Sequence, residues 1–241
     1  MDGSLFRRVI HASGAGDDSG DIMTFAATIT DSRGRQWISP IAPPLNLIRR
    51  FQWTLPASGQ LNQHIDTGIP ASMNCVIFTR QLSGNQTFNG EMVHLNGNWQ
   101  YRIIEAGTGN YDHPQSSLFM IYVFADMVDS QEAWGVRLFN ERGVAVWSGD
   151  MLPLEIKRYD IPRTDVAIDI GHGVAVMPGV SQWAFIHDMH YGTYYYSSSF
   201  NARGNYIERC STSAGDGYAS EKDGVINRTC YYINTDIYDT F

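Results

Sequence analysis

The sequence predicts an all-β protein made of two tandem, internally similar β-sandwich domains. Composition is the first ground. The 241 residues include 23 Gly, aromatic residues make up 12% and charged residues only 17%, a turn-rich profile far from that of a helical chain. Periodicity is the second, because nearly every apolar segment is short, alternates with a period of two and is bounded by Gly, Asn, Asp or Pro. No amphipathic segment of about ten residues carries helix caps. The third ground is an internal repeat.

Taken in order, Met23 to Thr30 alternates loosely. Thr28 to Thr30 and Arg35 to Ile38 flank the turn Asp31-Ser32-Arg33-Gly34 and predict a hairpin. Cys75 to Phe78 predicts a short buried strand, and Leu118 to Phe124 a longer one. Trp134 to Phe139 and Val144 to Trp147 flank Asn140-Glu141-Arg142-Gly143, a second hairpin of the same kind. Strands this short belong to sandwich or barrel units.

The two hairpins are related by an offset of 109 residues, which places Ile29, Arg33 and Gly34 on Leu138, Arg142 and Gly143, with Trp37 one place off Trp147. Pro44, Leu45, Leu47 and Arg49 fall on Pro153, Leu154, Ile156 and Arg158. Further along, at an offset of 108, His64 falls on His172, Pro70 on Pro178 and Gly84 on Gly192. Gly97-Asn98-Trp99 then meets Gly204-Asn205-Tyr206 at 107. Identity is low, but the matches are collinear, and a collinear period marks a repeated unit. The predicted division is an extension over residues 1–21, one β-domain over 22–130 and a second over 131–241, each of roughly 100 residues. Gly14 to Asp21 is expected to be a loop, and Asp126 to Glu132 the polar link between the copies.

Charge narrows the partners. Seventeen Lys plus Arg against 25 Asp plus Glu give a net charge of −8, scattered along the chain, which argues against a nucleic-acid partner. Fifteen of the 17 basic residues are Arg, leaving only Lys157 and Lys222, and the forked guanidinium suits protein interfaces. No run of apolar residues reaches the length of a membrane helix or a signal peptide, so membrane insertion is not expected and synthesis in the cytosol is. Cys75, Cys210 and Cys230 fit neither a CxxC zinc site nor a disulfide framework. Buried thiols are the favoured reading, with a Cys210–Cys230 pairing as the alternative.

The chemistry-bearing clusters each have a simpler reading. His187, Asp188 and His190 resemble a zinc ligand set, and Asp169 and His172 lie upstream. Within a strand, however, residues three apart point to opposite faces. A zinc-dependent hydrolase therefore stands only as the enzyme alternative, and no cofactor or metal is expected. Asp165 and Asp169 on an extended chain would lie roughly 13 Å apart, too far for a glycosidase pair. Gly171-His172-Gly173 precedes no helix and is not a phosphate loop. Tyrosine is more informative. Nine of 13 lie between Tyr191 and Tyr238, including Tyr194, Tyr195, Tyr196, Tyr231 and Tyr232. These are candidate interface or glycan contacts, because Tyr joins an apolar ring to a polar tip. Trp37 and Trp147, which follow the two hairpin turns, are expected core residues.

The segment Trp134-Gly-Val-Arg-Leu-Phe-Asn-Glu-Arg-Gly-Val-Ala-Val-Trp-Ser, followed by Met151-Leu-Pro-Leu-Glu-Ile, resembles a hairpin of small structural proteins at the tail tips and tail fibres of tailed bacteriophages. Gly135, Asn140, Gly143, Trp147 and Ser148 carry the resemblance, over about 25 residues of the chain. Such proteins often begin with this hairpin, whereas a whole β-region precedes it in this chain. The resemblance implies a virion component without enzymatic activity, whose partners are other phage tail proteins. A carbohydrate or receptor-binding module that meets a host surface glycan is the alternative. A homo-oligomer is expected, with a trimer favoured: six similar domains on three chains would match a six-fold tube to a three-fold fibre.

Overall fold

The computed structural model describes residues 9–13, 26–30, 36–38, 44–57, 63–108, 114–128, 137–139, 145–162, 167–188, 192–212 and 224–240. The fold is all-β. In chain order the first strands are β1 (Val9–Ser13), β2 (Ala26–Thr30), β3 (Gln36–Ile38), β4 (Asn46–Leu55), β5 (His64–Pro70), β6 (Cys75–Ser83), β7 (Thr87–Leu95), β8 (Asn98–Gly107) and β9 (Ser117–Ala125). They are followed by β10 (Arg137–Phe139), β11 (Ala145–Ser148), β12 (Lys157–Asp160), β13 (Ile168–Asp169), β14 (Val174–Val176) and β15 (Val180–Asp188). β16 (Gly192–Arg203), β17 (Tyr206–Ser211), β18 (Gly224–Ile226), β19 (Thr229–Asn234) and the helical turn α1 (Thr235–Tyr238) complete the described chain.

The chain separates into two compact units, and each draws on both halves of the sequence. One comprises Met1–Ile48 with Ala125–Leu154, the other Arg49–Phe124 with Glu155–Phe241. The division expected near residue 130 falls inside the first unit. That unit contains both hairpins seen in the sequence, β2–β3 and β10–β11. Their registers coincide at an offset of 109: Ile29 faces Ile38 and Thr30 faces Gln36, while Leu138 faces Trp147 and Phe139 faces Ala145. Both registers shift at the same place, between the two paired residues of the first strand. By this register the counterpart of Trp147 is Ile38, and Trp37 stands one residue away. Trp147 is 5% exposed and packs with Leu138, Val146 and Met151, against which Ile48 and Val128 rest. An antiparallel bridge from Asn46 to Pro153, with amide bonds from Leu47 to the Leu152 carbonyl and from Leu154 to the Leu45 carbonyl, closes the unit.

In the second unit the buried pattern follows strand periodicity. β5 alternates, burying Ile65, Thr67 and Ile69 on one face. β9 is apolar without alternation and buries Phe119 and every residue from Ile121 to Phe124, as a strand covered on both faces must. It pairs with β4 and β6. Phe88 stands at the centre of an aromatic group, 4.9 Å from Phe119, 5.7 Å from Trp53 and 5.9 Å from Tyr101 between ring centroids. A second core joins Ile161, Val174, Val176, Phe200, Ala202, Ile207, Cys230 and Tyr232.

Turns fix the hairpins. β7 and β8 are joined by Asn96-Gly97, both at positive φ (53° and 83°), the backbone that a two-residue type I′ connection requires. β16 and β17 are joined by Gly204-Asn205, with Gly204 at φ 59°. The two hairpins share a register at a single offset of 108: Gly90 faces Ile103 where Ser198 faces Ser211, and Leu95 faces Asn98 where Arg203 faces Tyr206. The pairings β4:β9 and β6:β9 have counterparts in β12:β19 and β15:β18. Two features break the parallel. β15 pairs with β16 along its length, whereas β6 makes its further ladders with β14 and, in parallel, with β16. The result is one eleven-stranded sheet drawn from both halves.

Where β6, β7 and β8 meet β16 and β17, the contact is polar and buried. Asn201 donates to Gln81 Oε1 at 2.8 Å, and Arg203 to the same oxygen at 2.8 Å. The Thr87 and Ser199 hydroxyls are 2.9 Å apart, and next to them, between β15 and β16, Ser181 and Ser198 share a bond of 3.1 Å. Asn89, Ser197 and Thr212 all donate to Glu105 Oε2. Small hydroxyl residues let the backbones approach closely, and paired donors and acceptors remove most of the cost of burying them.

Candidate interaction surface

The tyrosines singled out in the sequence do not form one cluster. Tyr194, Tyr195 and Tyr196 lie on β16, opposite Ile186, Phe185 and Ala184 of β15, and their side chains fall outside the described residues. Tyr231 and Tyr232 are neighbours on β19 and therefore face opposite ways. Tyr232 is 8% exposed, belongs to the second core and stacks on His172 at 6.3 Å; burial raises its phenol pKa. Tyr231 is 44% exposed.

The surface around Tyr231 is set by β12, the strand at one end of the large sheet. Lys157, Arg158, Tyr159 and Asp160 pair antiparallel with Tyr232, Tyr231, Cys230 and Thr229. Tyr159 turns inward onto the core that holds Cys230 and Tyr232, so Arg158 and Asp160 turn outward beside Tyr231 and Thr229. Arg158 grips Asp160 as a fork, with Nη2 at 3.0 and 2.9 Å from the two carboxylate oxygens and Nε at 3.2 Å. The Thr229 hydroxyl donates to the same carboxylate at 2.9 Å. The Thr229 hydrogen bond first, then Arg158, hold the Asp160 carboxyl below its ordinary range. The outer face thus presents a tyrosine ring, a guanidinium, a carboxylate and a hydroxyl side by side, and Ile156, 48% exposed, precedes the strand.

Backbone parity adds a second property. The Ile161 amide donates to the Arg228 carbonyl at 2.9 Å, continuing the ladder by one residue. In an antiparallel pair the hydrogen-bonded residues alternate, so Tyr159 and Lys157 direct their amides and carbonyls to β19 as Ile161 does. Those of Arg158 and Asp160 point away from the sheet. Among the described residues no strand lies beyond them.

A different polar cluster is structural. Asp239, just after α1, receives Arg50 at 2.9 Å and Arg80 at 2.8 Å, and the Tyr122 hydroxyl donates to it at 2.7 Å. Arg80 also donates to the Thr235 hydroxyl at 2.7 Å, and the Asn234 side chain caps α1 by accepting from the Asp236 amide. These bonds seat the fully buried Tyr238 against Phe124, with centroids 5.0 Å apart.

The remaining residues of interest are dispersed. His187 and Asp188 pair with Thr193 and Gly192 at the end of β15, and His190 and Asp165 lie outside the described residues. Asp169 accepts from the Gly171 amide in a local turn, and His172 Nδ1 contacts the Gly173 carbonyl. No group of three His, Cys, Asp or Glu side chains suited to a metal occurs among the described residues. Cys75, Cys210 and Cys230 are all thiols. Trp37 lies on β3, with its side chain outside the described residues. Sequence reasoning passed over Arg158 and Asp160, although their alternation in Lys-Arg-Tyr-Asp was the available signal. No protein family, curated protein or solved structure matches the chain.

Proposed function

We propose that the chain is a non-enzymatic structural component of a bacteriophage tail, at the distal tip or joined to a fibre, and that it acts by docking against other tail proteins. The observation that carries this reading is the β10–β11 hairpin. Its residues bear the resemblance to tail-tip and fibre-associated proteins, and β2–β3 repeats its register and its irregularity 109 residues earlier. An Arg-rich basic complement, and a sheet end at β12 with no further strand among the described residues, agree with docking as the mode of action. The test is a mass-spectrometric inventory of purified phage particles whose genome encodes the chain. Peptides of the chain at a fixed ratio to the tail proteins are expected; their absence from particles, with the chain free in the lysate, would refute the reading.

The surface at Tyr231 favours one alternative, a glycan-binding module of a fibre. A pyranose ring can stack on an exposed tyrosine while its hydroxyls bond to a carboxylate and a guanidinium, and Tyr231, Asp160 and Arg158 provide that set. Glycan-array binding that disappears in Tyr231→Ala would support this alternative over the docking role.

A further inference from the structure

We propose that β12 is the seat of a two-fold contact between copies of this chain, in which two β12 strands pair antiparallel and join their sheets. The proposal rests on the edge geometry alone and holds whichever particle the chain serves. The backbone groups that point away from the sheet belong to Arg158 and Asp160. In an antiparallel pair an outward residue must face another outward residue. The register that engages both residues of each strand sets Arg158 opposite the partner's Asp160, and Asp160 opposite the partner's Arg158. Every outward amide and carbonyl of those residues then finds a partner, and Tyr159 meets its own counterpart on the axis. A two-fold axis is what a self-complementary patch generates.

Charge supports this occupant over an arbitrary strand. Arg158 and Asp160 project from the same face, with side chains 61% and 58% exposed, and in this register they form an alternating ring of two guanidinium and two carboxylate groups. A charged edge of this kind repels most strands, which is how sheet ends are protected, yet its alternation complements its own antiparallel copy. Ile156, exposed ahead of the strand, adds apolar surface to the contact.

The experiment is sedimentation equilibrium on the full chain at high micromolar concentration, with R158D, D160R and an equimolar mixture of the two variants. Circular dichroism and melting confirm that each variant is folded. The wild type is expected to associate in even numbers. Each single variant sets like charges against like across the axis and is expected to halve the assembly mass. In the mixture, R158D from one chain meets D160R from the other with opposite charges, so mixed assemblies are expected to recover the wild-type mass, and differential isotope labelling identifies them. A monomeric wild type, an assembly of three chains only, or association unchanged by R158D would each overturn the proposal.

Discussion

Cys230 is fully buried on β19, and burial pushes its thiol up to about 12; Cys210 rises to about 12 as well, through burial first and the neighbouring Glu208 carboxylate second. The thiolate is the reactive species, so neither residue should react readily in the folded protein. Cys75 and Cys210 are both partly buried, but Cys210 is held back by its raised thiol, so alkylation near neutral pH is expected to modify Cys75 before the other two, and all three at similar rates in guanidinium; peptide mapping reads the order. The sign of the pH dependence follows. Because the folded thiols resist ionisation, their contribution is fully present below the ordinary thiol range. It is lost as pH rises from there toward about 12. The urea midpoint should therefore fall over that alkaline interval. Trp147 offers a second check at this scale. Replacing a buried Trp by Ala typically costs about 3–5 kcal/mol, and hydrogen exchange should report the loss in residues 137–154 before residues 63–108. Its indole N–H finds no acceptor among the described residues, so Trp147→Phe should cost less than Trp147→Ala. Sequence reading placed Trp37 in the same role. By the shared register Ile38 is the counterpart of Trp147 and Trp37 that of Val146, and the side chains of Trp37 and Ile38 lie outside the described residues.

Elements formed by neighbouring residues were legible in the sequence. Both hairpins with Gly-containing turns were predicted, and so was the burial of Ile77 and Phe78 within Cys75 to Phe78 and of most of Leu118 to Phe124, since each rests on local turn chemistry and apolar runs. The β7 bulge was not legible. The register shifts between Asn89 and Gly90, and a Cβ on Gly90 would lie 2.0 Å from the Arg102 carbonyl oxygen and 2.9 Å from the Tyr101 ring. Gly90→Ala must displace backbone and is expected to cost about 1–3 kcal/mol in chemical denaturation. Gly179→Ala, with nothing within 4 Å of its added carbon, should stay within about 0.5 kcal/mol. β12 was overlooked for a related reason. Arg158 entered the sequence reading only as the repeat partner of Arg49 and Asp160 not at all, because the ladder to β19 is what fixes which of their groups point outward.

At the scale of the whole chain, the offset of 108 to 109 residues seen in the sequence reappears in matched registers, but the tandem arrangement expected of it does not describe the two compact units. Each unit takes one portion from each half, and β6 of the first half pairs with β14 and β16 of the second. Such pairings join residues about 100 or more apart and leave no local signature, whereas a repeat is visible by comparing the sequence with itself. One consequence is testable by fragments. Residues 1–130 and 131–241 expressed separately are each expected to melt without a cooperative transition, and to regain one when mixed; cooperative melting of either alone would mean that a half sustains its own core. The proposed function rests on the hairpin resemblance, because docking surfaces carry no catalytic motif for a sequence to display. Membership of a tail is the central proposal for this chain. Immunogold electron microscopy of intact particles, with antibody raised against the folded chain, tests it most directly. Gold confined to the distal end of the tail or to its fibres is the predicted result. Particles left unlabelled, while the same antibody detects the chain in the surrounding lysate, would contradict it.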